Sequence, residues 1–208
     1  MHRVSWMRLV LFVFVAHTTG AKAADVAAGK AAFAVCAACH GQDALGNAAM
    51  NAPKTAGLEP WYVTRQLKAF KAGIRGSASG DMFGAQMKPI MASLANDAAI
   101  DNVVAYIATL PDKPAPITIQ GDAVKGKVAY ALCASCHGGK GEGNVQLNGP
   151  RLAGQDDWYI VRQLDAFKKG LRGTHPQDTY GVQMKPMAAT LATDQSVKDV
   201  VAYINTLR

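Results

Sequence analysis

The chain has 208 residues, of which 50% are hydrophobic and 18% charged, a balance that excludes disordered and collagen-like classes and leaves a folded globular protein. Its formal charge is +7, but Arg3, Arg8 and Lys22 lie in a segment that reads as a removable leader containing no acidic residue, so +4 would remain.

The chain opens with a positive region at Arg3 and Arg8, an apolar run from Leu9 to Ala16, and the A-x-A site Ala21-Lys22-Ala23. This is the order of a secretory signal peptide, read here as residues 1–23, with a mature protein exported to the periplasm and beginning near Ala24. Eight strongly apolar residues fall well short of the roughly 20 that cross a bilayer. No later stretch is apolar for that length, so no membrane span is expected in the mature chain. Export also makes disulfides the default reading of four cysteines, a default that must be beaten.

Beyond the leader the chain repeats. Asp25 to Leu110 matches Asp122 to Leu207 at a constant offset of 97 positions without a gap, and about half of the paired residues are identical. The domains expected are 24–110 and 122–208, joined by a linker at 111–121 that begins with the stiff, proline-rich Pro111-Asp112-Lys113-Pro114-Ala115-Pro116. Gly29 and Phe33, with Gly126 and Tyr130, point to a short opening helix in each copy. Val63, Leu67, Phe70 and Ile74, echoed by Ile160, Leu164, Phe167 and Leu171, have the spacing of a second helix. Ile100, Val103, Val104, Ile107 and Leu110 mark a last helix, echoed from Val197 to Leu207, with Asp97 and Asp194 as expected N-caps. No stretch alternates as a strand. The fold class expected is all-α, two tandem domains of a few helices each around a glycine-rich loop.

The chemistry lies in Cys36-Ala37-Ala38-Cys39-His40 and Cys133-Ala134-Ser135-Cys136-His137. CxxCH is the attachment signature of c-type haem: two thiols add to the two vinyl groups and the adjacent histidine reaches the iron. Two copies in register behind an export signal imply two covalently bound haem c groups, at Cys36/Cys39 and Cys133/Cys136. A shared zinc site would need the cysteine pairs much closer than 97 residues, a thioredoxin-like site would need a preceding strand, and structural disulfides would leave His40 and His137 unexplained. Haem propionates would offset most of the +4, which removes the basis for a nucleic-acid partner.

The repeat also serves as an internal control for the sixth ligand. Met50, Met82, Met91 and Met187 pair with Leu147, Thr179, Ala188 and Ile90, and only Met87 and Met184 recur. Each follows its histidine by 47 positions inside Gln-Met-Lys-Pro, expected in a loop before the last helix. Core filling is the bland alternative for any methionine. His40, Met87, His137 and Met184 are thus the expected metal ligands. His/Met ligation closes both axial positions and suits electron transfer rather than catalysis, so no catalytic residue and no enzyme activity is expected; a dihaem enzyme of the peroxidase kind is the less favoured third reading, since it would need one haem with an open or displaceable ligand. Arg65/Arg162 and Arg75/Arg172 recur and could meet propionates or simply face solvent.

These motifs, with Pro150-Arg-Leu-Ala-Gly-Gln155 and Tyr159-Ile-Val-Arg-Gln-Leu164, resemble the cytochrome c4 family over essentially the whole mature chain. The resemblance implies two class I cytochrome c domains packed about a pseudo-twofold axis with haem edges close. It also implies redox partners, a membrane-bound donor complex and a terminal oxidase or other acceptor. An electron-transfer subunit of a periplasmic dehydrogenase is the alternative. The first half departs from the pattern at Lys54-Thr55-Ala56-Gly57-Leu58. From Ala24 to Asp112 the charges balance, whereas Lys113 to Arg208 carries +4, an asymmetry suited to steering an acidic partner.

Overall fold

The structure, a computed structural model, describes residues 23–208. Apart from Ala23, the signal peptide read from the sequence lies outside the described residues. Each half contributes four helices in the same order: α1 (Val26–His40), α2 (Pro60–Lys71), α3 (Met82–Met91) and α4 (Asp97–Ile107), then α5 (Ala123–His137), α6 (Asp157–Lys168), α7 (Thr179–Ala189) and α8 (Asp194–Ile204). Among the described residues there is no strand, only isolated bridges Asn47–Ala52 and Asn144–Gly149 in equivalent loops.

The opening helices begin where their side chains allow. Asp25 accepts from the Ala27 and Ala28 amides at 3.0 Å, and Asp122 does the same for Val124 and Lys125. These bonds satisfy N–H groups that the helix itself leaves unpaired. α1 packs on α4 and α5 on α8, with Gly29 and Gly126 at the crossings. Phe33 meets Tyr106 and Tyr130 meets Tyr203, each pair at 5.3 Å between ring centroids. Behind them Ile100, Val103, Val104 and Ile107, or Val197, Val200, Val201 and Ile204, are buried on one helix face. Each such side chain contributes about 1.5–3 kcal/mol by leaving water.

Three local expectations are corrected. The caps of the last helices are Asn96 and Thr193, one residue before Asp97 and Asp194. Their short polar side chains reach the third helical amide, while each aspartate sits in the first turn, where the helix dipole favours it. α2 and α6 end at Lys71 and Lys168, so Ile74 and Leu171 lie beyond their helices, past Gly73 and Gly170, both at positive φ. Met87 and Met184 lie within α3 and α7, not in a loop. Asp81 and Asp178 cap these helices through the Gly84 and Gly181 amides, and the buried Met91 and Ala188 anchor their far ends. That support outweighs the one amide donor that Pro89 or Pro186 removes.

The segment between α4 and α5 has no regular structure but is pinned at two points. Asp157, fully buried, accepts from the Thr118 amide at 2.6 Å, the Thr118 hydroxyl at 2.6 Å, the Ile119 amide at 2.8 Å and Asn205 at 3.1 Å. Burial opposes ionisation of this carboxyl, but those hydrogen bonds outweigh it and hold the group below its usual value. With a depressed folded value, the stabilisation is complete above about pH 4, the ordinary aspartate value, and is lost as pH falls through the lower folded one. Asp157→Asn is expected to cost about 2–3 kcal/mol at pH 7, the worth of hydrogen bonds to a charged acceptor. It should also flatten the acid limb, as read by urea unfolding at pH 7 and pH 3.

Candidate haem sites

The last turn of α1 presents Cys36, Cys39 and His40 to one side, because a spacing of three or four residues returns to the same helix face. They open onto a cavity of about 480 Å³ also lined by Leu67, Phe70 and Val103. Cys133, Cys136 and His137 open onto a second, of about 250 Å³, with Leu164, Phe167 and Val200 in the equivalent places. His40 Nδ1 donates to the Pro53 carbonyl at 2.7 Å and His137 Nδ1 to the Pro150 carbonyl at 2.7 Å. Each bond fixes the ring and leaves Nε2 for a metal. Burial pushes both imidazoles below their ordinary value, against the carbonyl, so each is neutral, the form that ligates. Burial likewise raises the Cys36 and Cys133 thiols.

Met87 lines the first cavity and Met184 the second. Lining alone does not select them, since Met50 also lines the first and Met187 the second, at the places of Leu147 and Ile90. Met91 is a core residue, 1% exposed. The methionines that both line a cavity and recur in the repeat are Met87 and Met184.

The two cavities meet. Leu58, Tyr62, Gln66, Tyr159, Gln163 and Arg172 line both. Around them the halves exchange equivalent bonds, as an isologous interface requires. Arg75 donates to Tyr159 and Gln163, while Arg172 donates to Tyr62 and Gln66. Arg65 donates to Asn148 and lies over Tyr180, and Arg162 donates to Asn51 and lies over Phe83. The Lys54 amide donates to Asp156 and the Arg151 amide to Glu59. Asp112, in the linker, joins the pair by bonding Lys54 Nζ on one oxygen and Arg151 on the other. None of these cross-domain partners of the arginines was singled out from the sequence. The recurrence of Asn51/Asn148, Tyr62/Tyr159 and Gln66/Gln163 beside recurring arginines was the available signal.

The donor set fits haem. Arg65, Arg75, Arg162 and Arg172 have no carboxylate within 4.0 Å among the described residues, and all line the cavities. Four guanidiniums with neutral partners match the propionate charge that two haems carry. Two buried side-chain atoms also lack partners, Thr55 Oγ1 and Arg162 Nε, both from residues lining the first cavity. Apolar walls, paired thiols, an oriented neutral imidazole and unneutralised arginines together suit an apolar ring with an anionic edge.

Two tandem all-α domains, each with a CxxCH turn over such a cavity, define a dihaem cytochrome c. The cytochrome c family model matches residues 26–111 and 123–208. A cytochrome c4 from Azotobacter vinelandii is 32% identical over 206 residues, 93% of this chain and 92% of its own length. A protein of Stutzerimonas stutzeri (strain A1501) described as a thiosulfate dehydrogenase electron acceptor is 34% identical over 179 residues, 81% of this chain and 76% of its own. Among solved structures, reduced recombinant cytochrome c4 from Pseudomonas stutzeri superposes with a TM-score of 0.68 at 28% identity, covering 89% of this chain and 100% of that one. The chain belongs to the cytochrome c4 family, and its cofactors are two covalently bound haem c groups.

Proposed function

We propose that the mature chain is a periplasmic electron carrier, without catalytic activity of its own, that takes electrons from a membrane-bound donor complex and delivers them to an oxidase or other acceptor. The observation that carries this reading is the placement of a neutral histidine and a recurring methionine on the same cavity in both halves. When bound, each haem supplies the one-electron iron couple. Cys36, Cys39, Cys133 and Cys136 hold the rings covalently. His40 and His137, steadied by Pro53 and Pro150, would hold the iron together with Met87 and Met184, and an iron so held would have no site left for a substrate. Phe70, Phe167 and the aliphatic walls exclude water. Arg65, Arg75, Arg162 and Arg172, which line the cavities, would hold the ring carboxylates.

No described helix is long and apolar enough to cross a membrane. Residues 24–110 and 122–208 act in this reading as two packed domains, with the linker 111–121 clamped by Asp112 and Asp157. The expected result with reduced holoprotein at neutral pH is no change of spectrum under carbon monoxide. Ready binding at either haem would replace the carrier reading with that of an open, enzyme-like site. A second reading is supported by the likeness to a thiosulfate dehydrogenase electron acceptor: an electron-transfer subunit serving one dehydrogenase. Stable co-purification with such an enzyme would favour it over a freely exchanging carrier.

A further inference from the structure

Among the residues by which the two cavity walls differ, one places a hydroxyl in the first half where the second has an alkyl chain. Thr55 follows Pro53, the residue that orients His40, by two positions, and Leu152 stands at the same place after Pro150. The backbone course is shared: the Thr55 amide donates to the Ala44 carbonyl at 2.9 Å and the Leu152 amide to the Gly141 carbonyl at 2.8 Å. Both residues line their cavities. Thr55 Oγ1, however, is buried without a hydrogen-bond partner. An unpaired buried hydroxyl opposes folding, and an alkyl side chain such as that of Leu152 avoids the cost.

We propose that Thr55 sets the reduction potential of the first haem, lowering it relative to the value a leucine at this place would give. The inference rests on the reading of each cavity as a haem site. A hydroxyl rotates freely about its C–O bond and presents its oxygen to a neighbouring positive charge. In a cavity whose lining is mostly apolar, that dipole stabilises the oxidised state, which carries one more positive charge than the reduced one. Wall polarity and hydrogen bonding on the histidine side are among the means by which a protein tunes a haem. Leu152 offers no dipole, so the difference acts on one half alone. Thr55 is a positioning and tuning group, not a ligand, and the transfer is one electron with no bond formed or broken at the side chain.

The test is a spectroelectrochemical titration of the full holoprotein, with NMR of the hyperfine-shifted haem methyls to follow each haem separately. Thr55→Val, which keeps the shape and removes the hydroxyl, is expected to raise the ferrous-to-ferric ratio of the first haem by about fivefold at a fixed ambient potential. The second haem should not move. Thr55→Ser should stay near the wild type, and Leu152→Thr should lower the second haem in turn. No shift in Thr55→Val, an equal shift at both haems, or a Thr55→Ser that behaves like Thr55→Val would overturn the proposal. The haem reading fails separately, on a wild-type spectrum without two haem c equivalents, and takes this proposal with it.

Discussion

Met87→Ala and Met184→Ala are each expected to abolish the thioether-to-iron charge-transfer absorption of its own domain and to lower that haem's potential by roughly 0.2 V, within the roughly 0.8 V that axial ligands command. The soft sulfur favours the ferrous state, and no other thioether in either cavity both lines the space and recurs. Two controls separate ligation from packing. Met91→Ala removes a side chain that is 1% exposed in the first core, so it should cost about 2–5 kcal/mol in stability while leaving the absorption intact. Met187→Ala changes the second cavity's wall at the place of Ile90 and should also keep the absorption. Retention of the band in Met87→Ala or Met184→Ala would remove that methionine from the ligand set. The spectra need only purified holoprotein, oxidised and reduced.

Gly126→Ala is expected to cost about 3 kcal/mol or more, seen as a fall of roughly 12–24 °C in Tm. A Cβ at this position would lie 1.9 Å from the Asp199 carbonyl oxygen and 2.5 Å from its carbon. Both are backbone atoms inside α8, so neither can swing aside, and α5 must back away from the helix it packs on. The same holds at Gly29, where a Cβ would lie 1.9 Å from the Asn102 carbonyl oxygen. The displacement reaches the haem site, because α5 carries Cys133, Cys136 and His137 in its last turn. The yield of holoprotein should therefore fall along with Tm. A Gly126→Ala protein that unfolds at the wild-type temperature would show that the crossing is looser than the structure has it.

The repeated motifs made two attached haems and the helical class legible before any coordinates, and they singled out Met87 and Met184 as candidate ligands. Those properties are local or are copied: CxxCH is a five-residue chemical unit, a helix face is a period of 3.6, and a duplicated domain compares itself with its own copy. What the local pattern misjudged was also local competition. Lys-Pro after Met87 and Met184 reads as a loop, yet capping by Asp81 and Asp178 and burial of Met91 and Ala188 hold a helix through the proline.

The sequence by itself determined that this protein carries two attached haems in two like domains, and it singled out one histidine and one recurring methionine in each as the expected ligands. The tertiary structure alone decided how the halves meet: that Arg75 and Arg172 cross the interface, that Asp112 ties Lys54 to Arg151, and that Thr55 is left without a partner. The physical reason is range. Attachment and helix formation depend on residues a few positions apart, whereas these contacts join groups that are distant in the chain and were brought within hydrogen-bond reach by burial of the two domains' shared wall. No periodicity records such a pairing. The same separation explains why two sites with one motif need not be equal: Cys36 and Cys133 stand in like motifs, but Thr55 and Leu152 give their cavities different walls.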